Sequence, residues 1–260
     1  MTIFFHQLRR NKTSLLIWSA VLSFMLSVCI IIYPEMSSQM NEISDMFANM
    51  GAFSDAFGMD SINFGEFMGY FGIECGNTLG LGGSLFAALF GISAISNEEK
   101  DKTAEFLLTH PIKRSKIVFE KLIALIVQNI ILFSFVTLFC TISTIFIKEK
   151  LSLDFYLILI SFLILQLEIS FITFGISAFI SKGGYGFGIG ISIGLYFINI
   201  ISNLSDELKF LKYITPFSYT DSGYITENSI LDIKYIFVGI VFSIVSLALA
   251  FYKYNKKDIQ

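Results

Sequence analysis

Glu168 sits in the middle of an apolar run, Leu163-Ile164-Leu165-Gln166-Leu167-Glu168-Ile169, and its setting demands a chemical explanation. A charge at the centre of a lipid-embedded helix costs about 2.5–3.5 kcal/mol on insertion scales, so the carboxyl should face protein or water. Two roles satisfy that requirement. Glu168 either lines a translocation path or a dimer interface, or it is a structural carboxyl kept protonated or hydrogen-bonded. Gln166, two residues away, points elsewhere on a helix. Glu74, in a second apolar run, is expected nearer an outer interface, where water lowers its cost.

Other chemistries find little support. Cys29, Cys75 and Cys140 lie in or near separate apolar runs without a C-x-x-C pair, which reads as buried free thiols. His6 and His110 stand far apart and leave no metal-ligand cluster. A phosphate-cradling loop needs a Gly-Lys pair, and that dipeptide does not occur in the sequence. Glu98 and Glu99 begin an E-E-x-x-x-R pattern of membrane proteases, but Thr103 occupies the arginine position. With no H-E-x-x-H, G-x-S-x-G or paired intramembrane aspartates either, a non-catalytic chain is expected. The net charge of −3 and pI near 5.4 argue against a nucleic-acid partner.

The elements that must position these residues are membrane helices. Of the 260 residues, 54% are hydrophobic and only 15% charged, well below the quarter or so of a soluble domain. Mean hydropathy is +0.70, and the charges cluster between long apolar runs. Six runs, 15–33, 70–96, 117–147, 155–180, 185–201 and 235–252, are long enough to cross a bilayer as helices. The alternating pattern of a membrane barrel is missing. The first run is too long for a signal-peptide core and lacks an A-x-A-like site before Tyr33, so it is expected to be retained.

Basic residues set the orientation. Thirteen of 18 fall on one side: Arg9, Arg10, Lys12, Lys100, Lys102, Lys113, Arg114, Lys116, Lys121, Lys182, Lys253, Lys256 and Lys257. The opposite segment, 34–69, carries Glu35, Glu42, Asp45, Asp55, Asp60 and Glu66 but no lysine or arginine. Both termini are therefore expected in the cytoplasm, with 34–69 and 202–234 outside.

Between the second and third runs, segment 97–116 reads as a short amphipathic helix. Phe106, Leu107 and Leu108 give it an apolar face, Glu98, Glu99, Lys102 and Glu105 a wet one, and Pro111 stops it. Such a hairpin suits docking in a groove of a cytosolic protein; a solvated loop that merely enforces topology is the alternative. Glu98, Glu99, Thr103, Glu105, Leu107, Leu108, Pro111, Lys113, Arg114 and Lys121 together resemble the cytoplasmic coupling segment of ABC-2-type permeases: acidic residues, Thr, E-x-L-L-x-x-P, a basic pair and a lysine. Lys102 stands where that family usually has glycine. Lys212-Tyr213-Ile214-Thr215-Pro216-Phe217-Ser218-Tyr219 resembles the family's L-x-P-F-x-Y stretch before the last span, and Phe4-Phe5-His6-Gln7-Leu8-Arg9-Arg10 its interfacial elbow helix.

The resemblance implies one transmembrane domain over 1–260: an all-α polytopic membrane protein of six transmembrane helices. To these it adds an N-terminal elbow helix over 1–14, a coupling helix within 97–116 and an outer re-entrant segment. It further implies a permease subunit of an ATP-driven exporter in the bacterial plasma membrane. Its partners would be a cytosolic P-loop ATPase, which alone holds ATP and Mg, a second permease chain, identical or sibling, and membrane lipid. Pro216, Phe217 and Tyr219 become outer-gate candidates. Permeases of this size resembling the chain serve peptides such as bacteriocins or phenol-soluble modulins, drugs or sodium, and amphipathic peptides are the favoured expectation. The rival reading is an ion-driven transporter or channel using Glu168.

Small residues supply the packing signals. Gly186, Gly190 and Gly194 recur every fourth residue beside a row of Gly184 and Gly188, and Gly76, Gly80, Gly83, Ser84 and Gly91 form a looser set. Such rows let helices approach closely, within one chain or at a moving or dimeric interface. Met36, Met40, Ile43, Phe47 and Met50 predict an amphipathic outer helix that packs on the spans or guides a departing substrate.

Overall fold

The computed structural model describes residues 2–48, 66–100, 113–180 and 184–256, with side chains for all of these except 38–48, 98–100 and 206. The described elements are all helical: α1 (Thr2–Ala48), α2 (Phe67–Cys75), a π-helix (Gly76–Gly83), α3 (Ser84–Lys100), α4 (Arg114–Phe146), α5 (Leu153–Ser177), α6 (Tyr185–Asn203), 3₁₀ helices at Asp206–Tyr213 and Pro216–Thr220, α7 (Ser222–Asn228) and α8 (Ile233–Lys256). Six helical stretches are long and apolar enough to cross a membrane, in agreement with the six runs: Thr2–Ser37, Phe67–Asn97, Arg114–Phe146, Leu153–Ser177, Tyr185–Asn203 and Ile233–Lys256.

Two elements differ from expectation. The separate elbow over 1–14 and the outer helix after Pro34 are parts of one 47-residue helix, α1, with Pro34 inside it. Residues 2–14 hold neither proline nor glycine, so nothing stops the helix between Arg10 and the first apolar turn. The second apolar run, expected as a single helix, is wound as π over Gly76–Gly83, where four of eight residues are glycine. Glycine places few limits on the backbone, and each lost Cβ removes a reason to keep the tighter α winding.

Loop chemistry sets where the helices begin. Left-handed Lys148, φ 64°, turns the chain after α4. Ser152 then caps α5, its Oγ accepting from the Phe155 amide at 3.3 Å, with Asp154 in the first turn favoured by the helix dipole. Asp221 caps α7 through Tyr224 N at 3.2 Å, and left-handed Ser229, φ 52°, ends it.

The second and fourth spans form the centre, while α6 and α8 are the least covered by the rest of the chain. Phe71 of α2 stacks on Phe155 of α5 at 4.6 Å, and Phe67 meets Tyr33 of α1 at 5.2 Å. These rings, with Ser152 Oγ 3.4 Å from Met68 Sδ, close one end of the bundle. The opposite end gathers the start of α1, the end of α3, the start of α4 and the end of α8; below it is called the terminal end.

Candidate functional site

At the terminal end, polar groups tie these four helix ends together and reach the start of α6. Glu120 of α4 is buried, and its Oε2 accepts from the amides of Ile3 at 3.1 Å and Phe4 at 3.3 Å, two first-turn donors of α1 without an intrahelical partner. Lys116, mostly exposed, lies 4.0 Å from Glu120 Oε1 and adds little in water. Lys121, fully buried, donates from Nζ to the carbonyl of Ala94 in α3. Arg114 donates from Nη1 to the carbonyls of Tyr254 (3.5 Å) and Asn255 (3.3 Å), at the end of α8 where the last carbonyls have no backbone donor within the helix. Ser115 Oγ donates to Asn255 Oδ1 at 3.2 Å, and Asn97 Nδ2 of α3 donates to the Tyr185 hydroxyl of α6 at 3.0 Å. Both stems of segment 101–112, the end of α3 and the start of α4, are thus fastened to the rest of the bundle.

A second polar node lies within the bundle. The Tyr219 hydroxyl, on the 3₁₀ helix Pro216–Thr220, donates to Glu168 Oε2 of α5 at 2.7 Å, and both residues are buried. On the other side Glu168 presses against Gly239 of α8, where any Cβ would collide with its carboxylate. All five residues of that 3₁₀ helix are buried. Thr215 Oγ1 anchors it by accepting from Phe217 N at 3.4 Å and donating to Leu195 O of α6 at 2.8 Å. The Phe217 ring faces the π-helix, 3.8 Å from where a Cβ on Gly80 would stand, and meets Tyr196 of α6 edge-on at 5.5 Å. The short helix is therefore a plug wedged among α5, α6, α8 and the π-helix.

One family model, that of the ABC-2 family transporter proteins, matches residues 1–259. The chain belongs to the ABC-2 family. No curated protein matches it. The family and the six apolar helices make it a multi-pass membrane protein and a transporter component.

Within this ABC-2 chain the candidate residues fall into separate places. Glu168 and Tyr219, 51 positions apart, meet, and Pro216 and Phe217 share the plug with Tyr219. Glu74 is half-buried in α2, beside Cys29 of α1. Gly184 and Gly188 pack on α3, a Cβ on Gly188 lying 2.9 Å from Ile92 Cγ2. Among the described residues, a Cβ on Gly186, Gly190 or Gly194 would meet no other atom within 4 Å, whereas the neighbouring row packs on α3. Lys113 is exposed at the start of α4 and Arg114 holds α8. Glu98 and Glu99 lie on the last turn of α3, where only the backbone is described, and Thr103, Glu105, Leu107, Leu108 and Pro111 lie outside the described residues.

Sequence reasoning passed over Glu120, Asn97, Asn255 and Gly239. Glu120 had a usable signal as the lone acid at the head of the third run. Gly239 had a weaker one, as the lone glycine of α8.

Proposed function

We propose that this chain is the membrane-spanning permease of an ATP-driven exporter whose ATP hydrolysis takes place on a separate subunit. Its membership of the ABC-2 family over residues 1–259 carries the reading. The terminal end is the cytoplasmic face in this reading, as the lysine and arginine distribution requires. The ATPase docks on segment 97–116, against Glu98, Glu99 and Glu105, and holds ATP and Mg itself. The fastened stems support rigid transmission, because a push on 101–112 reaches α1 through Glu120, α3 through Lys121 and α8 through Arg114.

A second permease chain completes the transporter, in a bacterial plasma membrane with both termini inside. The open row Gly186, Gly190 and Gly194 on α6 is the surface of this chain best suited to a close helix approach by that second copy. The substrate class we favour is amphipathic peptides, for which the methionine-bearing extension of α1 beyond Pro34 offers an adaptable apolar guide.

The test is gentle detergent purification from native membranes with mass spectrometry and an ATPase assay. A co-purifying P-loop ATPase, released by charge reversal at Glu98, Glu99 and Glu105, is the expected result. A chain that purifies alone without ATPase activity defeats the reading. Stimulation of that ATPase by small drugs or ions but not by amphipathic peptides defeats the substrate assignment alone.

A further inference from the structure

The plug Pro216–Thr220 combines features that belong to a movable part. It is a single short 3₁₀ helix, a winding with poorer hydrogen bonds than α, and it rests on a π-helix, a rare winding frequent at functional sites. Neither neighbour is locked by a regular α ladder at their contact, Phe217 against Gly80. Glu168 lies fifteen residues along α5 from Leu153, about 22 Å at 1.5 Å per residue, so the plug that reaches it penetrates well into the bundle.

Its fastening is sparse. Thr215 holds the entry of the plug to α6 and Ser218 Oγ bonds back to Lys212 O at 2.7 Å, within the same connection. The hydrogen bond that joins the plug to α5 is Tyr219 to Glu168. Glu168 can lie there because Gly239 leaves room on α8, which makes the position of α8 a condition of the bond. At its far end α8 is gripped by Arg114, two residues after the segment 101–112. One helix thus touches both the start of α4, which follows segment 101–112, and the carboxyl that holds the plug.

We propose that Glu168, Tyr219 and Gly239 form a latch that keeps the plug seated, and that α8, held through Arg114, is the rod that releases it. The proposal rests on the exporter reading for the source of the push but not for the latch itself. A shift of α8 moves Gly239 along Glu168, the carboxyl loses its place opposite Tyr219, and the plug is free to leave α5. Glu168 acts here as a positioning residue.

The experiment uses the full chain with its native partners in membrane vesicles, carrying Phe217→Cys as reporter and a membrane-impermeant maleimide added outside. The unsubstituted chain is the blank, since Cys75 and Cys140 are buried and Cys29 half-buried. Tyr219→Phe keeps the ring and removes the donor, and Gly239→Ala drives the carboxyl aside. Each should raise the labelling rate about tenfold, the weight of one buried hydrogen bond of roughly 1.4 kcal/mol. Glu168→Leu should do the same, and Glu168→Gln, which restores an acceptor, should bring the rate back toward that of the intact latch. A merely structural role predicts no such rescue: equal labelling in Glu168→Leu and Glu168→Gln, or none raised in Tyr219→Phe and Gly239→Ala proteins that remain folded by size-exclusion, overturns the latch. ATP inside the vesicles should raise labelling of the reporter in the native latch and not with Arg114→Gln. If ATP changes Arg114→Gln as much as the native chain, the rod is overturned. If ATP changes nothing while the latch variants still label faster, the latch stands and the exporter reading fails.

Discussion

Lys121 of α4 reaches the carbonyl of Ala94 in α3 from a position with no solvent exposure, and so joins the two helices that flank segment 101–112. Such a lysine has two separable contributions, its packed stem and its polar head. Lys121→Ala removes both and should cost about 2–4 kcal/mol, read as an earlier thermal transition of the detergent-purified chain. Lys121→Met keeps the packed stem and removes only the polar head, so its cost should be nearer that of one hydrogen bond, about 1 kcal/mol. It should retain most of the stability yet lower the ATPase activity of the assembled transporter. Equal melting of the two variants would show that the head, rather than the stem, sets stability.

Glu120 supplies from α4 what the start of α1 lacks, an acceptor for two unpaired amides. The comparison with a capping side chain gives the magnitude: removing one costs about 1–2 kcal/mol. Glu120→Ala should therefore fray the first turn of α1 without unfolding the bundle. Faster hydrogen exchange at Ile3 and Phe4, with the centre of α5 unaffected, is the expected pattern. Glu120→Gln, still an acceptor for both amides, should lie between.

The helical architecture was readable because apolar runs of span length leave a chain few options in lipid, where every backbone group needs a partner. The terminal end was half legible. Arg114 and Lys121 stood out by type, but their acceptors are backbone carbonyls of Tyr254, Asn255 and Ala94, which any sequence provides everywhere. The π-winding was hidden for a related reason, since glycines permit it without requiring it. Glu168 announced that it needed a partner but not which one. Tyr219 lies 51 positions away on a 3₁₀ helix, beyond the reach of any periodicity, and Gly239 contributes by the absence of a side chain.

Gly91 and Gly83 are both crowded, but by different neighbours, and their alanine variants should differ. A Cβ on Gly91 meets the Ser170 carbonyl at 2.5 Å and the Phe174 amide at 3.2 Å, backbone atoms of α5 that cannot rotate away. At Gly83 the obstacle is the amide end of Gln166, a flexible side chain whose Oε1 finds no hydrogen-bond partner among the described residues. Gly91→Ala should cost about 1–3 kcal/mol as overpacking between α3 and α5. Gly83→Ala should cost less, because Gln166 can turn. Thermal melting of the two variants side by side checks the order, and a larger loss at Gly83 would mean that the π-helix itself depends on that glycine.

The two glycine rows of α6 make a sharper pair, since they lie on one helix and differ only in what they face. Gly188 stands where a Cβ would come within 2.9 Å of Ile92 Cγ2 and 3.1 Å of Ala88 O, so Gly188→Leu must push α6 off α3. That should lower the melting temperature of the isolated chain, with a cost of about 1–3 kcal/mol. A Cβ on Gly190 meets nothing within 4 Å among the described residues, and Gly190→Leu should leave that melting temperature where it is. If the row Gly186, Gly190 and Gly194 receives a second copy, the same substitution blocks the close approach that small residues permit. Cross-linking or mass measurement in mild detergent should then show Gly190→Leu shifted from dimer toward monomer, with ATPase activity of the assembled transporter falling in step. A Gly190→Leu chain that still pairs and stays active would place the second copy on another face, and α8, the other least-covered helix, would be the next surface to substitute.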